Sequence, residues 1–161
     1  MIFISETVTG SEPVSAAVQK AWSKVDFTDD DTLIGSLITE TRDIVEKYLG
    51  ISIIDKTLVL TLTDRDSIQL PYGPVIAISS IVDEDDTAIE YEVLNEKVTF
   101  SSTVTYAKIT YTAGWTTVPS GLIIGLKRAL QMLYENRGEQ PVNSILSAIQ
   151  ELRPYRRKLW F

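Results

Sequence analysis

Two periodicities divide the chain. Apolar residues recur every three or four positions between residues 13 and 49 and again between 119 and 152, as one face of an α-helix requires; between 57 and 112 they alternate, as a half-buried strand requires. Val14, Val18, Trp22 and Val25 mark a first helix after Pro13, with Ser11 and Glu12 placed to start it. A second, longer helix is predicted from about Asp29 to Leu49 and closed by Gly50, which tolerates left-handed backbone. At a helical 100° per residue, Leu33, Ile34, Leu37, Ile38, Thr41, Ile44, Val45, Tyr48 and Leu49 share an arc of about 160°. Ser36, Thr39, Glu40, Arg42, Asp43, Glu46 and Lys47 fall on the opposite arc, which is predicted to face water. Asp29, Asp30 and Asp31 precede this helix where its dipole favours negative charge; they lack the alternating ligands and sixth-position glycine of a calcium loop.

The alternating region yields strands at Leu58 to Leu62, at Val75 to Val82, at Ile89 to Leu94, at Lys97 to Phe100 and at Val104 to Thr112. Pro71, Gly73 and Pro74 bound the second, and Asp83 to Asp86 and Asn95–Glu96 supply hairpin tips. Gly114 permits a turn, and Pro119 presets the first turn of a third helix that runs to about Arg137, before Gly138. Leu122, Leu126, Ala129, Leu130 and Leu133 form its core stripe. Pro141 opens a fourth helix with Val142, Ile145, Leu146, Ile149 and Leu152 on one face. The expected fold class is therefore α+β: a bundle of about four helices with an antiparallel sheet of four to six strands inserted between the second and third. The expected organisation is a single domain, with N-terminal helices to residue 50, a β-rich insertion over 51–118, C-terminal helices over 119–152 and a tail over 153–161.

A second face of the third helix is unusual. Gly121, Gly125, Arg128 and Met132 line up roughly one turn apart with Ile124 beside them, although glycine inside a helix costs about 1 kcal/mol relative to alanine. Small residues there let another backbone approach closely, either the chain's own sheet or first helices or a neighbouring subunit.

Charge sharpens the picture. The net charge of -7 is unevenly spread: Met1 to Gly50 carries 9 acidic against 4 basic residues, Ile51 to Val118 10 against 4, and Pro119 to Phe161 3 against 7. A cationic end on an acidic body suits docking onto an acidic partner or another copy, and an acidic body repels DNA and anionic membrane. The tail RPYRRKLWF places Arg153, Arg156, Arg157 and Lys158 beside Tyr155, Leu159, Trp160 and Phe161, residue types that dominate binding hot spots. The same tail also fits a single-stranded nucleic-acid contact, so a nucleic-acid-binding module is the alternative reading.

With no cysteine and no histidine, disulfides, sulfur or imidazole metal sites, Cys nucleophiles and His-based triads are excluded. No phosphate-binding glycine loop or nucleophile elbow occurs, so no cofactor and no enzymatic activity are expected. The residual catalytic candidates, Asp64, Asp66 and Asp83 to Asp86, read as solvated loop tips. No apolar run approaches the roughly 20 residues that span a bilayer, and a soluble protein without membrane contact is expected.

Four motifs in order resemble the head-tail connector (adaptor) family of long-tailed phages. They are EPVSAAVQKAWSKVDFTDDDTLIGSLITETRDIVEKYLG near the start, IQLPYGPV at Ile68 to Val75, YTAGWTTVPSGLIIGLKRALQMLYENR at Tyr111 to Arg137, and LRPYR at Leu152 to Arg156. The resemblance implies a structural protein of the virion neck, assembled in the host cytoplasm as a ring, typically dodecameric. Such a ring lies beneath the portal protein and above the next connector or tail-terminator protein, and DNA passes through its lumen without sequence-specific binding. It also implies portal docking through Leu152, Pro154, Tyr155 and Arg156; charge and hot-spot composition add Arg153, Arg157 and Trp160. Gly121, Ile124, Gly125, Arg128 and Met132 are the subunit-interface candidates. The extension RKLWF departs from the family pattern.

Overall fold

The computed structural model describes residues 2–136 and 141–157. The chain forms two compact units. Among the described residues, one is a sheet unit taking in residues 2–11, Gly50–Thr116 and Arg157; the other is a helical unit made of Glu12–Leu49, residues 117–136 and residues 141–156. Among the described residues there are four α-helices and five strands, in the order β1 (Ile2–Val8), α1 (Ala16–Ser23), α2 (Asp31–Leu49), β2 (Lys56–Gln69), β3 (Val75–Val82), β4 (Tyr91–Leu94), β5 (Lys97–Ala113), α3 (Ser120–Glu135) and α4 (Pro141–Gln150). The fold is α+β, with four of the five strands between the second and third helices as the alternation requires. No described helix is long and apolar enough to cross a membrane.

The sheet is antiparallel, in the order β1-β2-β5-β3, with β4 paired to the first part of β5. Its centre follows from alternation in two strands at once: Leu58, Leu60 and Leu62 lie opposite Tyr111, Ile109 and Ala107, and all six are fully buried. Three features differ from the sequence expectation. The strand β1 pairs with β2 from Ile2↔Leu62 to Val8↔Lys56, because Ile2 and Ile4 alternate onto the sheet core over too short a run to stand out alone. The segments read separately at Lys97 to Phe100 and Val104 to Thr112 are one strand, with a register shift opposite Arg65 and Ser67. The strand expected from Ile89 begins at Tyr91. The tip at Asn95 and Glu96 is a two-residue turn with φ of 50° and 62°, the left-handed pair a tight hairpin requires.

In the helical unit, α1 starts at Ala16 rather than near Pro13, because Ser15 rather than Ser11 supplies the cap: its side chain accepts from Val18 N. Gln19 is the buried residue of α1, while Val18 and Trp22 lie exposed; of the expected apolar stripe only its ends, Val14 and Val25, which flank the helix, pack inward. The core stripe of α3 is as expected, with Leu122, Leu126, Ala129, Leu130 and Leu133 all buried. The helix ends at Glu135, two residues short of Arg137; Gly138 lies outside the described residues.

Arg42 and Glu46 depart most from the predicted solvent arc of α2. Both are buried, with side chains 5% and 1% exposed. The Arg42 guanidinium donates to Glu46 Oε2 at 2.7 Å and to Glu12 Oε2 at 3.0 Å, and Glu12 Oε1 also accepts from Thr39 Oγ1 at 3.1 Å. Burial alone would lower the Arg42 pKa, but Glu46 and Glu12 together outweigh it and raise it, so the charge is held. A sequence argument from one helix could not see Glu12 arriving to complete the cluster.

Arg42→Met leaves Glu46 buried without this charge partner and is expected to cost about 3–5 kcal/mol in urea unfolding, whereas Arg42→Met/Glu46→Leu should cost clearly less. Tyr111 carries a second buried polar group, its hydroxyl donating to Pro71 O at 2.8 Å. Burial pushes its phenol well above the ordinary value, so the folded state keeps this proton where the unfolded chain loses it. The stabilisation is complete below about pH 10 and declines as pH rises beyond it. Tyr111→Phe should lose about 1 kcal/mol at neutral pH and show a shallower fall of unfolding free energy in alkali, measured from pH 8 to 11.

Candidate docking surfaces

The glycine face of α3 and the LRPYR part of the docking candidates meet in the helical unit. Pro119 lies just before α3 and acts as its cap residue, so the helix begins at Ser120. The small residues Gly121 and Gly125 then face the turn that follows α4, a 3-10 turn at Arg153–Tyr155. A Cβ at Gly125 would come within 2.8 Å of Leu152 Cδ1 and Cγ, and one at Gly121 would overlap the Tyr155 hydroxyl. Absent side chains on α3 are thus filled from within the same chain. This is the close approach the glycine spacing implied, but the approaching group is neither the sheet nor the first helices: it is the LRPYR segment.

Leu152 is accordingly buried and Tyr155 half-buried, while Arg153, Pro154 and Arg156 are exposed. The Arg156 guanidinium lies 5.5 Å from the centre of the Tyr48 ring, at the end of α2. Arg157 belongs to the sheet unit and pairs with Glu96 Oε2 at 2.6 Å; the other Glu96 oxygen accepts from Val75 N at 2.6 Å. Gly73 has no side chain because the Arg157 guanidinium occupies that space. Trp160 lies outside the described residues. Of the six docking candidates among the described residues, three are therefore exposed: Arg153, Pro154 and Arg156.

The interface candidates on α3 line two hollows. Gly121, Ile124 and Gly125 border one of about 350 Å³ with Glu151, Leu152, Pro154 and Tyr155. Arg128 and Met132 border the other, of about 370 Å³, with Gln131, Glu135, Ser147, Ala148 and Glu151. Arg128 forms an ion pair with Glu151, a residue common to both. Ile124 remains exposed. Among the described residues no group of three or more acidic side chains is arranged to hold a metal ion. Asp64 and Asp66 are exposed but lie within β2 rather than at a loop tip, because that strand continues past Leu62 to Gln69. At the tip after β3, Asp83 Oδ1 accepts from Asp85 N and Thr87 N, which shapes the loop, and Glu84, Asp85 and Asp86 are exposed.

The residues missed from sequence are Glu12, Arg42, Glu46 and Glu96, each a charged group at a crossing of segments distant in the chain. The one signal available was position: Glu12 stands in the first motif, and Glu96 at a hairpin tip where a bulkier turn residue is unusual.

A family model described as phage gp6-like head-tail connector protein matches residues 18–114. That span runs from within α1 through β5, so the glycine face of α3 and the LRPYR segment lie beyond it. A search of curated proteins gave no match. Solved structures extend the likeness over nearly the whole chain. A chain in the neck of an empty gene transfer agent (GTA) particle, computed with C6 symmetry, is 16% identical, with a TM-score of 0.71 over 91% of this chain and 94% of that one. A chain in the virion of a native GTA particle is 17% identical, with a TM-score of 0.72 over 93% and 94%. A chain in the neck of a native GTA particle, computed with C12 symmetry, is 15% identical, with a TM-score of 0.68 over 98% and 97%.

Gly125→Leu should cost about 1–3 kcal/mol by driving Leu152 from its seat. Because the two residues share one space, adding Leu152→Ala should cost less than the sum of the two single changes in urea unfolding.

Proposed function

The chain belongs to the phage gp6-like head-tail connector family, and on that premise we propose that it works as a ring in the virion neck, between the portal and the next connector or tail-terminator protein. The family match over residues 18–114 carries this reading. The full-length likeness to chains from particle necks computed with C6 and C12 symmetry supports the ring, and a dodecamer is the number proposed. The role is structural: the chain holds neighbours and transmits a channel, and it performs no chemical step. Copies assemble in the host cytoplasm on a portal that already closes the capsid vertex.

Portal docking falls to the exposed Arg153, Pro154 and Arg156. Leu152 and Tyr155 hold that segment in place from beneath, by filling the spaces over Gly125 and Gly121. This division supersedes a free tail. Removing everything from Arg153 onward would also strip the side chain that covers Gly121, so truncation would disturb the fold together with docking. DNA passes through the ring without sequence readout, and an acidic body favours sliding because phosphate is repelled from such walls.

The variant Arg153→Glu/Arg156→Glu reverses two exposed charges and gives up about 0.5–1 kcal/mol for the Tyr48 contact. It should stay folded by circular dichroism and bind purified portal at least about tenfold more weakly in co-sedimentation. Undiminished binding by a folded variant refutes the docking assignment.

A further inference from the structure

A closed ring of identical chains uses two different patches on each copy, one meeting the other on the neighbour. Among the described residues, two such patches with complementary chemistry are exposed. The first lies on the helical unit. Val18 and Trp22 of α1 are 46% and 42% exposed and Ile124 of α3 is 43% exposed. Trp22 Nε1 donates to Gln131 Oε1 at 3.1 Å, and Lys127 Nζ stands 5.2 Å from the centre of the Trp22 ring. At 100° per residue Lys127, Gln131, Ile124 and Arg128 lie within about 100° of one another around α3, so the apolar residues and the two cations share one face. Apolar groups of this size at helical spacing normally face a core, and here they do not.

The second patch is β4. Its four residues are all exposed, with Leu94 at 75%, and its described pairing is to β5 alone, which leaves its outer edge open. Alternation places Glu92 and Leu94 on the same side of the strand. One side of β4 thus offers an acid next to a large apolar residue, as the α1–α3 face offers cations next to apolar residues. Glutamates on a strand edge also discourage indiscriminate pairing, which favours recognition of one partner.

We propose that β4 of one copy docks on the α1–α3 face of the next copy, with Leu94 against Trp22 and Ile124 and Glu92 toward Lys127. The contact rests on the ring reading and specifies its geometry. It leaves Arg153 and Arg156 to the portal. The apolar pair provides burial, and the charges fix register and exclude other orientations.

The absence of cysteine makes the test direct. A Leu94→Cys/Ile124→Cys chain, assembled on portal-bearing capsids or concentrated in solution and treated with a short bis-maleimide, should give a ladder of crosslinked multimers ending at the ring. Either single variant should give none. Glu92→Lys and Lys127→Glu should each weaken assembly about tenfold, read by native mass spectrometry, and the double swap should restore it. A wild-type ring whose 94–124 variant does not crosslink, or whose charge swaps leave assembly unchanged, overturns this contact and leaves the ring reading intact. A wild-type chain that forms no ring, free or on the capsid, overturns both.

Discussion

A buried charge must be met by opposite charge, and in the helical unit that constraint falls on Arg42. Its guanidinium lies inside the unit, where an unpaired cation would be costly, and both Glu46 and Glu12 contact it. Glu46 comes from the same helix, but Glu12 comes from the segment before α1, and Glu12 also accepts from Thr39. Meeting the charge therefore fixes where the chain enters the unit. Ser15 can then cap α1, Gln19 turns inward to donate to Ser23 and to the Lys127 carbonyl of α3, and Val18 and Trp22 are left outward. The apolar outer face follows from a polar inner arrangement.

A comparable substitution occurs at the C-terminal end. LRPYR looks like a docking motif by composition, yet its two largest apolar groups serve the chain that carries them. Leu152 and Tyr155 occupy space left by glycines of α3, which turns a mobile type of segment into a fixed one and sets Arg153, Pro154 and Arg156 at the surface. A surface held rigid from beneath loses less conformational freedom on binding, which supports the docking role proposed for Arg153, Pro154 and Arg156. In the sheet unit, Arg157 joins Glu96, and Glu96 bonds the first residue of β3. Two of the tail's described cations thus have partners in the chain itself, Arg156 over a ring and Arg157 on a carboxylate, which suits docking between proteins better than phosphate neutralisation.

Much of the fold was legible because period is a local property. The alternation of Leu58, Leu60 and Leu62 and the three-to-four spacing of Leu122, Leu126, Ala129 and Leu133 require no knowledge of what lies opposite, and both proved to face cores. Caps were less legible, since Ser11 and Ser15 are both capable residues and the choice between them depends on where Glu12 must go. The strand β1 escaped because seven residues with two inward isoleucines resemble many N-termini until β2 is beside them.

The sequence by itself determined the order of the four helices and the place of the strands between the second and third, the cationic end, the absence of Cys and His chemistry, and membership of a connector family, since each is written in spacing or residue type. Tertiary structure alone decided which polar groups are buried and which apolar groups are not. Arg42 and Glu46 lie on the wet arc of an isolated helix and Trp22 on an apolar stripe, yet their exposure is reversed in the folded chain. Burial is a property of neighbours far apart along the chain, and no periodicity within one element can report who those neighbours are.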